Sequence, residues 1–406
     1  MGPRILLVTT VNWPSSARLA GAFAGVGAEV EASFPAGHVL GKSRAVAGRH
    51  AYNPLFPSAS LKSAIARAEP DLIVPCDDRA LAQVLAFAAR APRHAALMER
   101  SLGRLASYPA LVARSAFIGA ARAAGIAAPE TVSLAGEADL EDELARLGFP
   151  AVLKADGSWG GDGVAVVRNQ DQARAAFRRL AVPPSRARSV ARAMRRRDAH
   201  FLHDALRPPV ASVSLQRFVA GKPATSAFAC WKGRVLATIH MDVLETLGPT
   251  GPASVMRRVD CPQMEQAAVR LAERFGLSGL HGLDFVRDSS GAAHLIEINP
   301  RATQASAFAF GGGHDLAAAL AGCVAPSVRG ARPLVTENPI IALFPQEWHR
   351  DPDSPWLHTA YQDVPWDDPD VLRACLEPGQ PTPVRRPAEA GQAAPLVLAS
   401  PGRRPH

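Results

Sequence analysis

Two segments of the sequence contain residues that suit a site for a metal ion and nucleotide phosphates. The first runs from Pro150 to Val164 and combines Lys154 with four glycines. The second holds Asp284 and, further along, the run Glu297-Ile-Asn-Pro-Arg301. A lysine and a glycine-rich turn suit phosphate groups, whereas carboxylates and an amide oxygen suit the magnesium ion that phosphates carry. Together the two segments predict an enzyme that uses ATP.

Lys154 is an uncommon residue type in this chain. Only five of the 45 basic residues are lysines, and arginine supplies the rest. The lysine ammonium is a compact point charge that suits phosphate, whereas the planar guanidinium of arginine suits bidentate partners. The composition therefore favours a specific role for Lys154.

The glycine-rich run does not match the two common phosphate-binding loops. We predict strands at 151–155 and 164–168, on either side of Ser158–Gly163. A P-loop or a dinucleotide-binding loop would instead lead from a strand into a helix. We therefore predict a β-hairpin whose glycine-rich tip forms a flap over a triphosphate.

Residues 282–299 are predicted to form a second hairpin, with its turn at 288–291. The expected register places Asp284 opposite Leu295. Since side chains alternate between the faces of a strand, Ile296 and Ile298 are then expected to face the core.

The other face of this hairpin is predicted to carry Asp284, Glu297 and Asn299. Diagonal neighbours on one face of a sheet lie roughly 7–8 Å apart, so their oxygens can share one metal ion. Hard oxygen ligands of this kind select Mg²⁺ or Mn²⁺. Arg301, just past the strand, is placed to meet a transferring phosphoryl group or an acyl phosphate oxygen.

The elements before these segments predict an open α/β unit of roughly 100 residues. Buried strands are expected at 4–10, 29–33 and 71–75, with helices from Pro14 to about Gly25, at 60–68 and at 79–90. Ligands of such sheets bind beyond the carboxyl ends of the strands. The loops 11–16 and 75–79 are therefore candidate substrate loops.

The composition is ordinary for a globular enzyme, with 48% hydrophobic and 20% charged residues in a chain of 406. This length favours two or three domains, or one domain with elaborations. The net charge of +8 is compatible with nucleic-acid binding, but the arginines are spread over the chain and aromatic residues make up only 6%. Attraction of anionic nucleotides explains the charge as well, so we expect no nucleic-acid partner.

Cysteine usage and hydropathy indicate the compartment. The five cysteines are odd in number and contain no Cys-x-x-Cys, which predicts neither a zinc site nor a disulfide framework. The apolar run at 5–8 is too short for a signal sequence, and no stretch reaches membrane-spanning length. We therefore expect a cytoplasmic protein with no membrane partner.

Two further segments have unusual compositions. Residues 181–209 are strongly basic and bounded by prolines, which is compatible with a solvated helical insertion or with a lid that contacts an anionic substrate. From Pro378 onward the chain is rich in proline, glycine and alanine, so we expect it to be partly disordered.

These motifs, in this order, resemble those of the ATP-grasp ligases. Arg114 stands where the family has its first phosphate-contacting basic residue, eleven residues before the Gly125 that ends the same helix. Lys154 matches the second such residue, within Phe-Pro-x-Val-x-Lys. The family's small glycine-rich loop is matched by Ser158, Gly160, Gly161 and Gly163.

The segment 213–221 matches the link between the two ATP-grasp subdomains, which holds adenine. Gln216 and Val219 fall on the adenine-contacting positions. Gln216 replaces the more common glutamate, and Arg217 follows where many relatives have an acidic or apolar residue. This departure leaves the ribose contact unassigned.

The resemblance also covers the second hairpin. It implies that Asp284, Glu297 and Asn299 bind Mg²⁺ or Mn²⁺, and that Arg301 is catalytic together with Lys154. The implied cofactors are ATP and this metal ion.

The resemblance implies a mixed α/β and α+β chain, with an N-terminal Rossmann-like pre-ATP-grasp domain followed by a two-subdomain ATP-grasp fold. The expected boundaries are 1–105 for the pre-ATP-grasp domain, 106–215 for the small subdomain with its insertion at 181–209, 216–330 for the large subdomain and 331–406 for a C-terminal extension.

The activity implied by the resemblance is that of a carboxylate-amine ligase. Such an enzyme activates a carboxylate as an acyl phosphate and joins it to an amine, with release of ADP and phosphate. Its expected partners are a small-molecule carboxylate and a small-molecule amine. A homo-oligomer is compatible with the resemblance.

Two other functions are compatible with the same motifs. One is a carboxylase or carbamoyl-forming component that uses bicarbonate, although no biotin-attachment or glutaminase region is visible. The other is a non-catalytic, regulatory ATP-binding protein, against which the intact set of charged residues argues.

Overall fold

The computed structural model describes residues 2–155, 163–182, 185–196, 201, 212–249, 251–325, 328 and 330–377. The tip of the glycine-rich run, much of the basic insertion and the Pro-rich tail lie outside these residues. The expectation that the tail is disordered therefore stays a prediction.

The N-terminal domain is a four-stranded parallel sheet with helices around it, as the sequence predicts. The strands are β1 (Arg4–Val8), β2 (Glu29–Phe34), β3 (Val46–Ala51) and β4 (Leu72–Pro75), in the order β3-β2-β1-β4. The helices are α1 (Pro14–Gly25), α2 (Pro57–Ala68), α3 (Asp78–Arg90) and α4 (Ala95–Leu102). Strand β3 and helix α4 are additions to the predicted elements. Strands β1 and β4 are apolar and buried on both faces, as parallel strands between helices require.

Two short helices lead into a second, antiparallel sheet. They are α5 (Tyr108–Val112) and α6 (Arg114–Ala123). The sheet comprises β5 (Thr131–Leu134), β6 (Ala151–Ala155), β7 (Val164–Val167) and β8 (Val213–Arg217), in the order β5-β8-β6-β7, with α7 (Glu137–Leu147), α8 (Gln170–Ala181) and α9 (Arg186–Arg196). Strands β6 and β7 pair antiparallel on either side of the glycine-rich run, which confirms the predicted hairpin.

A third sheet of seven strands follows, in the order β13-β12-β9-β10-β11-β14-β15. Its strands are β9 (Lys222–Trp231), β10 (Arg234–Thr246), β11 (Ala253–Arg258), β12 (Gly279–Arg287), β13 (Ala293–Asn299), β14 (Ile340–Ala342) and β15 (Tyr361–Gln362). Its helices are α10 (Pro262–Phe275), α11 (Leu316–Val324), α12 (Gln346–Arg350), α13 (Trp356–Thr359) and α14 (Pro369–Leu376). Short 3-10 turns lie at Val39–Lys42, Pro92–His94, Leu105–Ser107 and Gln304–Ala307.

The described part of the predicted C-terminal extension is built into this fold. Strands β14 and β15 extend the seven-stranded sheet, and β14 pairs directly with β11. Val371 and Cys375 of α14 are buried in the same apolar cluster as Ile5 of β1. Residues 331–377 therefore pack on the N-terminal domain as well as on the large sheet.

The apolar side chains divide the described fold into two packed units. The N-terminal sheet and the seven-stranded sheet share their cores, because Ile5 and Ala227 lie in one cluster while Leu6 and Phe228 lie in another. The four-stranded antiparallel sheet has a cluster of its own, centred on residues such as Leu153. Its packing is thus separate from that of the two larger sheets.

The basic insertion is helical over Arg186–Arg196, as one interpretation of the sequence expects. This helix is not solvated on every side, because Ser189 and Ala193 are buried. Further along, the Arg79 guanidinium of α3 lies 5.7 Å from the ring centroid of the buried Phe201. The described part of the insertion therefore contacts the start of α3.

The predicted register of the second hairpin is wrong, because β13 contains a β-bulge. Asp284 pairs with Glu297 rather than with Leu295, and the register shifts between Asp284 and Phe285. Ile296 is the extra residue, so it is only half-buried instead of facing the core, while Leu295 is fully buried. The expectation that Ile298 is buried is confirmed.

The link between the four-stranded antiparallel sheet and the seven-stranded sheet contains a glycine with little space around it. Residues 218–221 connect β8 to β9, and a Cβ added at Gly221 would stand 2.2 Å from the Arg287 carbonyl oxygen. We expect Gly221→Ala to lower the free energy of unfolding by about 1–3 kcal/mol, because the backbone must move to relieve this overlap. Denaturant unfolding followed by circular dichroism measures the change.

Gly119→Ala is the matched control for this substitution. Gly119 lies inside α6, and a Cβ added there meets no heavy atom within 4 Å. Because alanine favours a helix over glycine, the control should stabilise the protein by roughly 0.5–1 kcal/mol. Equal effects from the two substitutions would contradict the steric argument at Gly221.

Among the described residues, no helix has both the length and the apolar character needed to cross a membrane.

Candidate active site

The half-buried carboxylate of Asp284 is held by two hydrogen bonds. Its Oδ1 accepts from the Thr225 hydroxyl at 2.9 Å, and its Oδ2 accepts from Asn299 Nδ2 at 2.8 Å. The bulge in the second hairpin places Glu297 directly across from Asp284. Burial raises the pKa of Asp284, and the neighbouring charge of Glu297 raises it further. Two carboxylates thus face one position with their charges incompletely balanced.

Arg114 connects Glu297 to the small sheet. This arginine begins α6, and its Nη2 donates to Glu297 Oε1 at 2.8 Å, while its Nη1 donates to the Ala155 carbonyl at the end of β6. The side chains of Arg114 and Glu297 are 11% and 29% exposed, so the pair is shielded from water. The guanidinium therefore stands where the two sheets and α6 meet.

Lys154 reaches the same position from β6. Its side chain is only 4% exposed, and its Nζ donates to the Ile296 carbonyl at 3.5 Å. Burial lowers the pKa of Lys154, and the nearby Glu297 acts in the opposite direction. The bulge in β13 turns the Ile296 carbonyl toward this ammonium.

Arg301 joins the seven-stranded sheet to the N-terminal domain. Its Nε and Nη2 each lie 2.9 Å from an oxygen of Asp78, and Nη2 also lies 2.9 Å from Asn299 Oδ1. Asp78 is the first residue of α3, three positions after the last residue of β4. The carboxyl edge of the parallel sheet is thus tied to the strand that carries the carboxylates.

The neighbouring Asp77 fixes the loops at this edge. Its carboxylate accepts from the Thr9 and Thr10 hydroxyls at 3.0 and 2.8 Å, and from the Ala80 amide at 2.8 Å, which caps α3. The β1–α1 and β4–α3 loops are thereby held together. Both belong to the candidate substrate loops that the sequence predicts.

The structure brings together most of the charged residues that the sequence singled out. Hydrogen bonds link Arg114 to Glu297 and link Asp284, Asn299 and Arg301 to one another; the pairing of Asp284 with Glu297 and the position of Lys154 beside Glu297 complete one set of neighbours. Two residues that hold members of this set, Thr225 and Asp78, were not predicted as site residues. Asp78 lies in the candidate loop 75–79, but neither residue carries a motif of its own.

The residues expected to contact the nucleotide are only partly described. Ser158, Gly160 and Gly161 lie outside the described residues, whereas the Gly163 carbonyl accepts from the Ala155 amide at 2.8 Å at the base of the hairpin. Gln216 is buried and donates from Nε2 to Thr131 Oγ1 at 2.9 Å. Val219 is half-buried in the link between the sheets. The adenine-contacting role of Gln216 and Val219 stays a prediction.

The donor set fits a hard divalent cation. Asp284 and Glu297 supply two carboxylates on one face, and Asn299 adds an amide beside them. Within the described ranges, no group of three histidine, cysteine, aspartate or glutamate side chains is arranged to bind a metal. A metal site here would therefore rely on two carboxylates and on the Asn299 amide oxygen, which also accepts a hydrogen bond from Arg301. Oxygen ligands of this kind suit Mg²⁺ or Mn²⁺ when phosphate oxygens complete the coordination.

The nearby histidines make structural contacts. His281 Nε2 lies 2.9 Å from the Ser278 carbonyl, His294 Nε2 lies 2.8 Å from Asp288 Oδ2, and His314 Nδ1 lies 2.7 Å from the Thr238 carbonyl. Burial lowers the pKa of His281 to about 4, so its ring is neutral at neutral pH. Each of these three rings thus contributes a contact within the described fold.

An α/β domain is followed by an antiparallel sheet and by a larger, mainly antiparallel sheet. Lys154 of the first sheet and Arg114 of α6 lie beside carboxylates of the second. This arrangement is that of the ATP-grasp fold. Residues 120–305 match the family model of the ATP-grasp domain. This part of the chain is therefore an ATP-grasp domain, which confirms both the resemblance and the predicted fold class. No curated protein matches the chain in sequence.

Solved structures of three other proteins show the same fold. N5-carboxyaminoimidazole synthetase from Staphylococcus aureus, complexed with ADP, is 12% identical with a TM-score of 0.57, and the match covers 79% of this chain and 78% of that one. Biotin carboxylase from Campylobacter jejuni is 14% identical with a TM-score of 0.57 (81% and 73% covered). L-amino acid ligase from Bacillus licheniformis is 16% identical with a TM-score of 0.56 (80% and 76% covered).

Proposed function

We propose that this protein is an ATP-dependent ligase that activates a carboxylate as an acyl phosphate and joins it to an amine. The observation that carries the proposal is the connected set of charges from Lys154 and Arg114, through Glu297 and Asp284, to Arg301 and Asp78. It spans all three sheets and ends at the candidate substrate loops of the N-terminal domain. A phosphoryl group between the basic residues would therefore lie next to a substrate bound at those loops.

In the proposed reaction a carboxylate oxygen of the substrate attacks the γ-phosphorus of ATP. The bond from that phosphorus to the β–γ bridging oxygen breaks, and ADP leaves. The amine nitrogen then attacks the acyl carbon, phosphate leaves and the nitrogen loses a proton. The products are an amide, ADP and phosphate.

The protein's part in this reaction is to position the reactants and balance their charges. Lys154 and Arg114 would neutralise phosphate oxygens from positions that are shielded from water, where a fixed charge acts strongly. Arg301, oriented by Asp78, would bind an oxygen of the transferring phosphoryl group. The flap at Ser158–Gly163 would exclude water from the acyl phosphate.

Asp284, Glu297 and Asn299 would hold Mg²⁺ or Mn²⁺. When bound, this cation supplies positive charge to the phosphate oxygens. Gln216 and Val219 would contact adenine at the link between the four-stranded antiparallel sheet and the seven-stranded sheet. In this site no protein side chain is required to act as a nucleophile.

The test is an assay of ADP and phosphate release with a panel of amino acids, other organic carboxylates and bicarbonate, each offered with and without an amine. We expect ADP release that requires both a carboxylate and an amine, and a condensed product by mass spectrometry. ADP release that requires bicarbonate would favour a carboxylase. ATP binding without turnover on the whole panel would indicate a regulatory protein.

A further inference from the structure

A cavity of about 380 Å³ lies beside the candidate active site. It is enclosed by α3 of the N-terminal domain, by α5 and α6, and by the edge strand β13. Its apolar walls include Leu81, Leu85, Leu111, Phe117, Ile118 and Ile298. Pockets that bind small molecules start at roughly 300 Å³ and are lined mainly by apolar side chains, so this cavity has the size and lining of a ligand site.

The polar residues of the cavity belong to the charged set of the active site. They are Asp78, Arg114 and Glu297. Asp78 holds Arg301, and Arg114 holds Glu297. A molecule with an apolar group in this cavity therefore has its polar end next to the residues proposed to bind the phosphoryl group and the metal ion.

The bulge in β13 contributes to this shape. Ile296 also lines the cavity because the extra residue keeps it out of the core. The same residue accepts a hydrogen bond from Lys154 through its carbonyl. One local irregularity thus supplies both an apolar wall and a contact to the buried ammonium.

We propose that this cavity binds the apolar group of the carboxylate substrate, so that the substrate is an organic acid with a branched aliphatic or aromatic side chain. The inference rests on the proposed function, since it specifies the substrate of that reaction. A hydrophobic pocket discriminates by roughly 10- to 200-fold for each methylene that it accepts or lacks. Bicarbonate has no apolar group to fill it.

The test uses a substitution at the edge of the cavity that reduces its volume. Ala82 lines the cavity and is exposed on α3, so Ala82→Phe narrows the space without disturbing the core. We expect kcat/KM for carboxylates with leucine- or phenylalanine-sized side chains to fall at least 10-fold. The kcat/KM for alanine-sized carboxylates should change less than 2-fold.

Ala89→Phe is the matched control, because Ala89 is also exposed on α3 but does not line the cavity. It should retain wild-type values for every carboxylate. Leu85→Ala enlarges the cavity, and it should shift the preference toward larger side chains. Circular dichroism and the melting temperature of each variant confirm that it is folded.

The outcomes separate this inference from the proposed function. The cavity is not a side-chain subsite if the wild type uses carboxylates but prefers small or charged ones. The same conclusion follows if Ala82→Phe lowers kcat/KM equally for all carboxylates. If the wild type releases no ADP with any organic carboxylate, the proposed function fails, and this inference fails with it.

Discussion

Replacing Lys154 by methionine is expected to lower kcat for ADP release by about 10²- to 10³-fold, the usual loss when one fixed charge-stabilising group is removed from an active site. The ammonium is buried at 4% exposure and lies within reach of the Ile296 carbonyl beside Glu297. Methionine keeps the length and volume of the side chain, so the decrease in kcat measures the effect of removing the charge. Steady-state kinetics with saturating ATP measure it.

Lys62→Met is the control for this substitution, because it removes the same charge from an exposed position on α2. It should retain wild-type kinetics. Lys154→Arg keeps the charge but changes its geometry, so we expect an intermediate rate. Wild-type turnover in Lys154→Met, with the protein folded, would remove Lys154 from the proposed site.

The parts of the fold that the sequence predicts are those governed by local patterns. The continuous apolar runs of β1 and β4 identify buried parallel strands. The glycine-rich run between two apolar segments identifies the β6–β7 hairpin, and the alternation in β13 identifies a face that carries Glu297 and Asn299. Each of these signals depends only on residues near one another in the chain.

The bulge in β13 was not predicted, because adjacent apolar residues do not reveal which of the two faces the core. Leu295 and Ile296 are both apolar, so alternation allows either one inside. In the structure the Leu295 amide donates to the Ala127 carbonyl at 2.8 Å. This contact comes from the chain that follows α6, about which the local pattern of β13 carries no information.

The pairing of Arg301 with Asp78 was missed for the same reason. These residues are 223 positions apart in the sequence. The position of each indicates a role, since Asp78 begins a helix at the carboxyl edge of a parallel sheet and Arg301 follows the carboxylate-bearing strand. Only the shared core of the two sheets brings them together.

The residues of the candidate site are distributed over the two packed units of the described fold. Asp284, Glu297, Arg301 and Asp78 all lie on the unit formed by the N-terminal and seven-stranded sheets, which share two apolar clusters. Lys154 lies on the small sheet, whose cluster is separate. The Asp284, Glu297 and Arg301 positions therefore belong to one packed unit, whereas Lys154 belongs to the other.

Asp78→Asn is expected to lower kcat by about 10²-fold, because the loss of one orienting contact misplaces a reacting group by an ångström or less. Asparagine has the same size, but its amide offers only one acceptor to Arg301, whose Nε and Nη2 now each lie 2.9 Å from a carboxylate oxygen. Asp77, not Asp78, caps α3, so the helix should remain intact. The KM for ATP should stay unchanged, since Asp78 contacts none of the residues proposed to bind adenine.

Asp370→Asn is the matched control, because Asp370 also pairs with an arginine, Arg373, at 2.6 Å but on the exposed surface of α14. Exposed pairs of this kind contribute little to stability, so the control should keep wild-type kinetics and melting temperature. If Asp78 only docked α3 onto the sheet, its substitution would lower the melting temperature and leave kcat unchanged in the folded protein. A fall in kcat at constant KM for ATP, absent from Asp370→Asn, would instead identify Asp78 as the residue that positions Arg301 for the chemistry.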